Sequence, residues 1–189
     1  MVPIGDVIPT RTRPALTAVL VLAALALVGP PALRPWTMAW LADGLAIGIF
    51  GRALEDRMGR ARFAVFAGIG AVSAAAVAAL IAPVPLALVA AGGLAAAVSG
   101  GHLARFPGAP VLALVPVPFG LHIIEIPAWF IAGVWGVVHL ATALGSDAAA
   151  ATLASLAGWI AAGVLGVVLA RPFSRSERDH IDWWGAARP

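Results

Sequence analysis

The chain contains no cysteine and no lysine, and only 11% of its 189 residues are charged. The absence of cysteine excludes a disulfide framework, a thiolate metal site and a cysteine nucleophile. The scarcity of charge excludes a soluble domain, because 61% hydrophobic residues leave too few polar side chains to cover its surface. The arginines are spread among loops, so the net charge of +3 does not favour nucleic-acid binding. We therefore expect an integral membrane protein.

Uncharged runs of sequence locate the membrane spans. The run 63–104 is too long for one crossing of ~20 residues, and Pro83 and Pro85 divide it in two. Four prolines between residues 107 and 118 argue against a regular spanning helix. We expect 106–124 to form an interfacial or irregular connection. The six predicted spans are 14–33, 35–51, 63–82, 86–104, 124–144 and 148–170.

The distribution of arginine orients these spans. With six spans, 11 of the 12 arginines lie on the side that holds both termini, and only Arg34 faces the other side. Positive charge accumulates on the cytoplasmic side, so both termini are predicted to be cytoplasmic. We therefore expect an all-α, polytopic fold in the bacterial inner (plasma) membrane. It comprises a cytoplasmic lead-in (1–13), a six-helix transmembrane domain (14–170) and a cytoplasmic tail (171–189).

Small residues line two adjacent faces of the fourth predicted span. They recur at intervals of four within VAAGGLAAAVSGG (89–101), and the sixth span repeats this spacing. Helices in lipid associate through close backbone approach, so we interpret the fourth span as the central helix of the bundle. Low complexity from GC-rich codons is the alternative explanation. The predicted packing residues are Gly92, Ala96 and Gly100; Gly93, Ala97 and Gly101; and Gly158, Ala162 and Gly166.

A second pattern follows the second span. GRALEDRMGRARF places Gly51, Glu55, Gly59 and Phe63 at intervals of four, on one face of a helix. We expect the Glu55 carboxylate to pair at the cytoplasmic surface with one of the three arginines that follow it. The alternative is an ordinary solvated ion cluster, in which each exposed pair contributes only ~0–1 kcal/mol.

In their order and spacing these segments resemble the bacterial rhomboid intramembrane serine proteases. The motif at 51–63 is similar to the segment after the family's second helix, and PIGDVIPTRTRP (3–14) resembles its lead-in. HLARFPGAPVLALVP (102–116) and IEIPAW (124–129) resemble the connection between helices four and five. The glycine and alanine spacing at 158–166 is similar to the packing motif of helix six. The resemblance implies a six-helix rhomboid-like bundle.

The resemblance also implies where catalytic residues would lie, and the chain departs from the family there. The nucleophilic serine of helix four aligns with Gly92, and the histidine base of helix six aligns with Ser155. The family's oxyanion-supporting His and Asn of helix two align with Ala39 and Asp43. We therefore predict a catalytically inactive pseudoprotease. An acid in mid-span is costly, so Asp43 is interpreted as a polar anchor that bonds the backbone or Ser155 across the old site. The alternative is a protonated or water-accessible remnant.

Two alternatives remain open for the chemistry. In the first, an active protease uses relocated residues, because Ser99 and His102 could share a face of the fourth span, although about two turns nearer the cytoplasm. In the second, a lipid or small molecule occupies the vacated cavity. A metal site built from His102, His122 and His139 lacks ligand spacing, so we expect no metal and no cofactor. His139 is interpreted as a helix-packing histidine.

The function that we predict is binding. In the rhomboid fold, helices two and five flank a lateral opening, and here they offer Trp40 on one side and Gly133 and Trp135 on the other. Glycine gaps beside aromatic rings suit capture of a foreign transmembrane helix. In the tail, Trp183 and Trp184 would anchor at lipid headgroups or dock onto a partner. The predicted partners are lipids and an integral membrane protein, which this chain serves as an accessory or assembly subunit of a larger complex.

Overall fold

The computed structural model describes residues 2–6, 13–26, 37–117, 120–144 and 149–174. These ranges are mostly helical, which confirms the predicted helical class, and they also contain a small sheet. The helices are α1 (Ala15–Ala26), α2 (Thr37–Met58), α3 (Arg60–Ile81), α4 (Leu86–Arg105), α5 (Ala128–Leu144) and α6 (Ala149–Phe173). The strands are β1 (Val2–Asp6), β2 (Pro110–Val117) and β3 (Gly120–Pro127).

The bounds of α3, α4 and α6 lie within three residues of the predicted spans. Residues 124–127 of the fifth predicted span belong to β3, so α5 starts only at Ala128, and α1 is described only as far as Ala26. The largest difference lies at the end of α2. This helix continues through the arginine-containing segment to Met58, where Gly59 ends it. Gly59 has a φ of 77°, a left-handed conformation that glycine adopts at little cost, and α3 begins at the next residue. Within the described residues, two helices, α3 and α6, are long and apolar enough to cross a membrane, with mean hydropathies of 2.3 and 2.1, so the six spans remain a prediction.

The connection between α4 and α5 is ordered, so the expectation of an irregular segment over 106–124 is wrong for most of it. β2 pairs antiparallel with both β1 and β3, in the order β1-β2-β3. Prolines are compatible with these strands because of their positions. Pro110 is the first residue of β2, and Pro116 lies beyond Leu114, where the pairing with β1 ends.

The lead-in to the first span, for which no secondary structure was predicted, contains a strand. It supplies β1, whose Val2 pairs with Leu114 and whose Asp6 pairs with Val111. The first strand therefore joins a hairpin more than a hundred residues away in the chain. Residues 7–12 lie outside the described part of the chain, as does the tail from residue 175.

Small residues allow α4 to lie in close contact with α3 and α6. A methyl group added at Gly93 would lie 2.9 Å from the carbonyl oxygen of Gly70, and one at Gly100 would overlap the carbonyl of Gly163. One at Gly166 would overlap the backbone of Ala97. Ordinary carbon–oxygen contacts exceed these separations, so no larger side chain fits without a shift of the helices. Gly101 and Gly158 are also buried, and the predicted packing alanines Ala96, Ala97 and Ala162 are fully or almost fully buried.

The outward faces of α3 and α6 are apolar. On α3, Val72 is 69% exposed and Leu80 is 87% exposed; on α6, the corresponding values are 58% for Val164 and 61% for Val168. Only 28% of the most apolar window of either helix is buried inside the protein. The core helix of a soluble protein would be mostly buried, so these surfaces are more consistent with membrane association.

Candidate functional site at Asp43 and His139

Four helices converge on the backbone of Gly92. α2 contributes Asp43, α4 contributes Gly92 itself, α5 contributes His139 and α6 contributes Trp159. A methyl group added at Gly92 would lie 3.4 Å from Asp43 Oδ2, 3.7 Å from His139 Cε1 and 3.8 Å from Trp159 Cδ1. These are ordinary contact distances. Gly92 was predicted to be a packing residue, but unlike Gly93 it leaves space for a small side chain.

A hydrogen bond joins Asp43 to His139. His139 Nε2 lies 2.8 Å from Asp43 Oδ1, and the ring nitrogen donates when the carboxylate is ionised. The Asp43 side chain is 4% exposed and that of His139 is 16% exposed. A carboxylate in an apolar helix is stable only when it has a partner, and the imidazole meets this need from the facing helix. The pair therefore acts as a polar cross-link between α2 and α5.

The indole of Trp159 packs against this pair. Its ring lies 5.1 Å from the His139 ring, centroid to centroid, at an interplanar angle of 33°. A methyl group added at Gly136 would lie 3.5 Å from Trp159 Cη2, an ordinary contact distance, so the indole also packs against α5. The indole thus occupies space between α4, α5 and α6 beside Gly92. This packing does not favour a lipid or small molecule beside Gly92.

The polar anchor at Asp43 has a different partner from the one that we predicted. The Ser155 hydroxyl donates to the carbonyl of Ala151, one turn earlier on its own helix, at 2.9 Å. The Asp43 carboxylate bonds His139 instead. The sequence did carry a signal for this pairing, since a lone acid and a lone histidine each lie within an apolar predicted span. The side chain of Ala39, the fourth degenerate position, lies outside the described part of the chain.

The candidate relocated dyad on α4 does not form. The Ser99 hydroxyl donates to the carbonyl of Ala95 at 2.8 Å. The His102 ring is fully buried and packs between Phe50, at 4.6 Å, and Phe106, at 5.1 Å between centroids. The hydroxyl therefore bonds its own helix, and the imidazole packs among aromatic rings. Within the described ranges, no three His, Asp or Glu side chains lie together in a way that could hold a metal ion.

Glu55 is the second buried polar centre. Its carboxylate accepts hydrogen bonds from the backbone N–H of Leu16, at 3.1 Å, and of Thr17, at 2.7 Å. It also accepts a bond from the Thr17 hydroxyl at 2.7 Å. α1 begins directly after Pro14, which has no side-chain oxygen to cap the helix. Glu55 therefore supplies from α2 the capping group that α1 lacks.

The rest of the four-residue motif supports this cap. A methyl group added at Gly51 would lie 3.1 Å from Thr17 Cγ2 and 3.3 Å from Phe63 Cζ, so the glycine lets α1 approach α2. The predicted ion pair of Glu55 forms with Arg60, at 3.7 Å, but Arg60 is 64% exposed. An ion pair with one exposed member contributes little. The partners in α1 are far away in sequence, and the local pattern gave no signal for them.

An apolar groove runs along the outer face of α5. It has a volume of about 410 Å³. A methyl group added at Gly133 would meet nothing within 4 Å, so this glycine leaves the groove open. The residues that line the groove are Trp129, Phe130, Gly133, Val134, Val137 and Val138.

The aromatic residue at this groove is not the one that we predicted. Trp135 is 8% exposed and packs edge-on against Phe50, with ring centroids 5.3 Å apart, so it faces the bundle. Trp129 is 61% exposed and lines the groove instead. The side chain of Trp40 lies outside the described residues, as do both tryptophans of the tail, Trp183 and Trp184.

The described side chains that contact Gly92 are a carboxylate, an imidazole and an indole, which form a bonded and packed group rather than a nucleophile with a base. Nε2 of His139 is engaged by Asp43, and the indole of Trp159 packs on the ring. No protein-family model, no curated protein and no solved structure matches the chain. The geometry favours a structural role for the pair, which holds α5 against α2.

Proposed function

We propose that the chain is a multi-pass protein of the bacterial inner membrane that binds a transmembrane helix of another membrane protein. Its bundle would be rhomboid-like, with six spanning helices, and it would lack protease chemistry. In this role it serves as an accessory or assembly subunit of a larger membrane complex. The observation that carries the proposal is the apolar groove on α5, which Gly133 leaves open on the outside of the bundle.

The character of the outer surface supports insertion in a membrane. Large apolar side chains lie on the outside of α3, α5 and α6. Exposing such side chains to water costs a free energy of ~25 cal/mol for each Å² of apolar surface. Arginines are instead concentrated at one end of the bundle, where α2 meets α3. An apolar belt with a basic end is the pattern of a polytopic protein whose basic end is cytoplasmic.

The absence of protease chemistry is supported at Gly92. Acyl transfer requires a nucleophile within hydrogen-bond reach of a base. The three atoms nearest to a methyl group at Gly92 belong to Asp43, His139 and Trp159, none of which carries a hydroxyl, and Ser99 bonds the backbone of its own helix. The two groups that a serine protease would bring together are therefore not together here.

The binding role is supported by the shape of the groove. In lipid, helices associate by van der Waals contact, and small residues allow backbones to approach closely. Gly133 offers such a contact point, and Trp129 and Phe130 form an aromatic wall beside it, with ring centroids 6.0 Å apart. All six residues that line the groove are glycine or apolar, as a partner helix in a membrane requires.

The proposal is tested by filling the groove. Gly133→Leu places a large side chain where a methyl group would meet nothing within 4 Å, so the bundle itself should fold normally. We expect a membrane protein that co-purifies with the native chain in mild detergent to be lost from this variant. A photo-crosslinker introduced at Val137 should then map to a transmembrane segment of the same protein.

Gly68→Leu is the matched control. Gly68 lies on the exposed side of α3, and a methyl group there also meets nothing within 4 Å. The same substitution on a different outward face should leave the partner bound. If both variants retain the partner, the binding surface does not lie on α5. If both variants lose it, the loss is a non-specific effect of the added bulk.

A further inference from the structure

We propose that the β2–β3 hairpin lies flat in the headgroup region of the anionic cytoplasmic leaflet, as a membrane contact separate from the spanning helices. This inference rests on the proposed insertion of the bundle in a membrane. It does not depend on the partner that binds α5. The hairpin follows α4, which ends at Arg105, and precedes α5, which starts at Ala128.

The composition of the hairpin does not suit contact with water. The hairpin carries one charged residue, Glu125, which is exposed near the end of β3 where α5 begins. No charged residue occurs between Pro107 and Ile124, and His122 is the only titratable residue in that stretch. A connection that long and that apolar outside a membrane would be an aggregation hazard. An environment less polar than water is therefore needed for this segment.

The exposure of β3 distinguishes lipid from a protein partner. Ile123 is 62% exposed and Ile124 is 42% exposed. Adjacent residues of a strand point to opposite faces of the sheet, so apolar side chains are uncovered on both faces at the same point. A protein docked on one face would leave the other in water. Lipid surrounds the strand and covers both.

The backbone of β3 limits how deep the hairpin can lie. In the described part of the chain, β3 pairs with β2 on one side only and is the last strand of the sheet. Unpaired N–H and C=O groups are not tolerated in the hydrocarbon core, but water and headgroups satisfy them at the interface. Trp129, two residues after the strand ends and 61% exposed, is of the type that marks this depth.

The charge at this end of the bundle selects an anionic surface. Arg60 is 64% exposed, and its guanidinium lies within 3.5 Å of the carbonyl of Arg13, near the start of α1. Arg62 is exposed on α3, and Arg171 is exposed near the end of α6. Phe66 and Phe173 pack at 6.1 Å between ring centroids, which places the end of α6 beside the start of α3. Basic side chains beside an apolar surface bind anionic lipid headgroups.

Single-cysteine labelling tests the proposal directly, because the chain contains no cysteine. A spin label is attached to Ile123→Cys and, separately, to Ile124→Cys in vesicles that contain phosphatidylglycerol. Arg62→Cys is the aqueous reference and Val72→Cys is the reference for lipid contact. Collision with a water-soluble nickel chelate is compared with collision with oxygen at each position.

We expect both hairpin labels to collide with the nickel chelate several-fold less often than the label at position 62. From the ratio of oxygen to nickel collisions, both should lie at a shallower depth in the membrane than the label at position 72. Vesicles of phosphatidylcholine alone should increase nickel access at both hairpin positions. Nickel access equal to that of position 62, or shielding of only one of the two positions, would overturn the proposal. Equal shielding in both lipids would overturn its anionic part.

Two further outcomes separate this inference from the proposed function. Nickel access at position 72 would show that the bundle itself is not inserted, and the proposed function would fail with it. Shielding of positions 123 and 124 in native membranes but not in vesicles of purified protein would assign the hairpin to a protein partner, which also overturns the lipid contact.

Discussion

His139 Nε2 lies 2.8 Å from Asp43 Oδ1, and this hydrogen bond crosses the bundle beside the backbone of Gly92. It joins α2 to α5, the two helices that would flank the lateral opening of a rhomboid-like bundle. Phe50 and Trp135 make a second contact between the same helices, with ring centroids 5.3 Å apart. The polar pair and the aromatic pair together hold α5 in place.

Removing one member of the polar pair should be strongly destabilising. Asp43→Ala leaves the imidazole of His139 without its partner, and His139→Ala leaves a carboxylate in an apolar surrounding. Breaking a buried pair in this way costs about 3–5 kcal/mol. Thermal unfolding in detergent, followed by circular dichroism, measures the effect. The exposed Glu125→Ala is the control and should change the melting temperature little.

The double variant Asp43→Leu/His139→Leu separates the pair's interaction from its burial. The single variants Asp43→Leu and His139→Leu each leave one unpaired polar group, whereas the double variant leaves none. The double variant should therefore lose less stability than the sum of these two single losses. If the losses of unfolding free energy in the two single variants simply add up to the loss in the double variant, the hydrogen bond between Oδ1 and Nε2 contributes nothing to holding α5.

Two adjacent glycines of α4 should lose different amounts of stability when each is replaced by alanine. Gly92→Ala adds a methyl group at ordinary contact distances, the shortest being 3.4 Å to Asp43 Oδ2. Gly93→Ala forces a methyl group against the side chain of Ala74 and to within 2.9 Å of the Gly70 carbonyl oxygen. We expect Gly93→Ala to lose ~1–3 kcal/mol of unfolding free energy and Gly92→Ala much less. Equal losses measured by thermal unfolding would mean that α4 packs in another register.

Position 92 also allows a test of the missing chemistry. Gly92→Ser introduces a hydroxyl beside Asp43 Oδ2, where it would donate to the carboxylate, while Nε2 of His139 remains bonded to Oδ1. We expect neither the native chain nor this variant to react with a fluorophosphonate probe or to cleave a synthetic transmembrane substrate. Labelling of the native chain that disappears with Ser99→Ala would contradict the pseudoprotease proposal. Labelling of the variant that requires His139 would show that the pair can act as a base.

Local sequence signals located the helices because hydropathy and charge are read over about 20 neighbouring residues. The four-residue spacing at 51–63 likewise indicated a helix, but the break at Gly59, where φ is 77°, was not predicted. The sheet was missed because the apolar run of β2 shows no alternation, and its partner Val2 is at the other end of the domain. Pairing of distant segments leaves little trace in either segment alone.

The same reasoning explains which parts of the site were found. Gly92 and Asp43 were singled out from their own positions in apolar helices, and the structure places them side by side. The partner of Asp43 was not identified, because His139 lies 96 residues away and nothing near either residue specifies the other. Trp135 was expected to face outward, but the rotation of α5 about its axis, which buries this ring on Phe50, is set by tertiary packing.

Glu55 gives the last prediction, which concerns α1 alone. Its carboxylate accepts the N–H groups of Leu16 and Thr17 and the hydroxyl of Thr17. Thr17 is 3% exposed, so Glu55→Ala would leave its N–H without an acceptor and without water. A buried donor left in this state costs about 1–3 kcal/mol. Because the loss falls at the start of α1, we expect amide hydrogen exchange to accelerate in residues 15–26.

Glu55→Gln provides the matched comparison for that experiment. The amide keeps one oxygen that can accept a hydrogen bond but loses the charge, so exchange in α1 should lie between that of the native chain and that of Glu55→Ala. Exchange in α3, α4 and α6 should stay unchanged, because their packing rests on glycine and alanine contacts away from this cap. If Glu55→Ala accelerates exchange equally in all helices, the carboxylate stabilises the whole bundle rather than the start of α1.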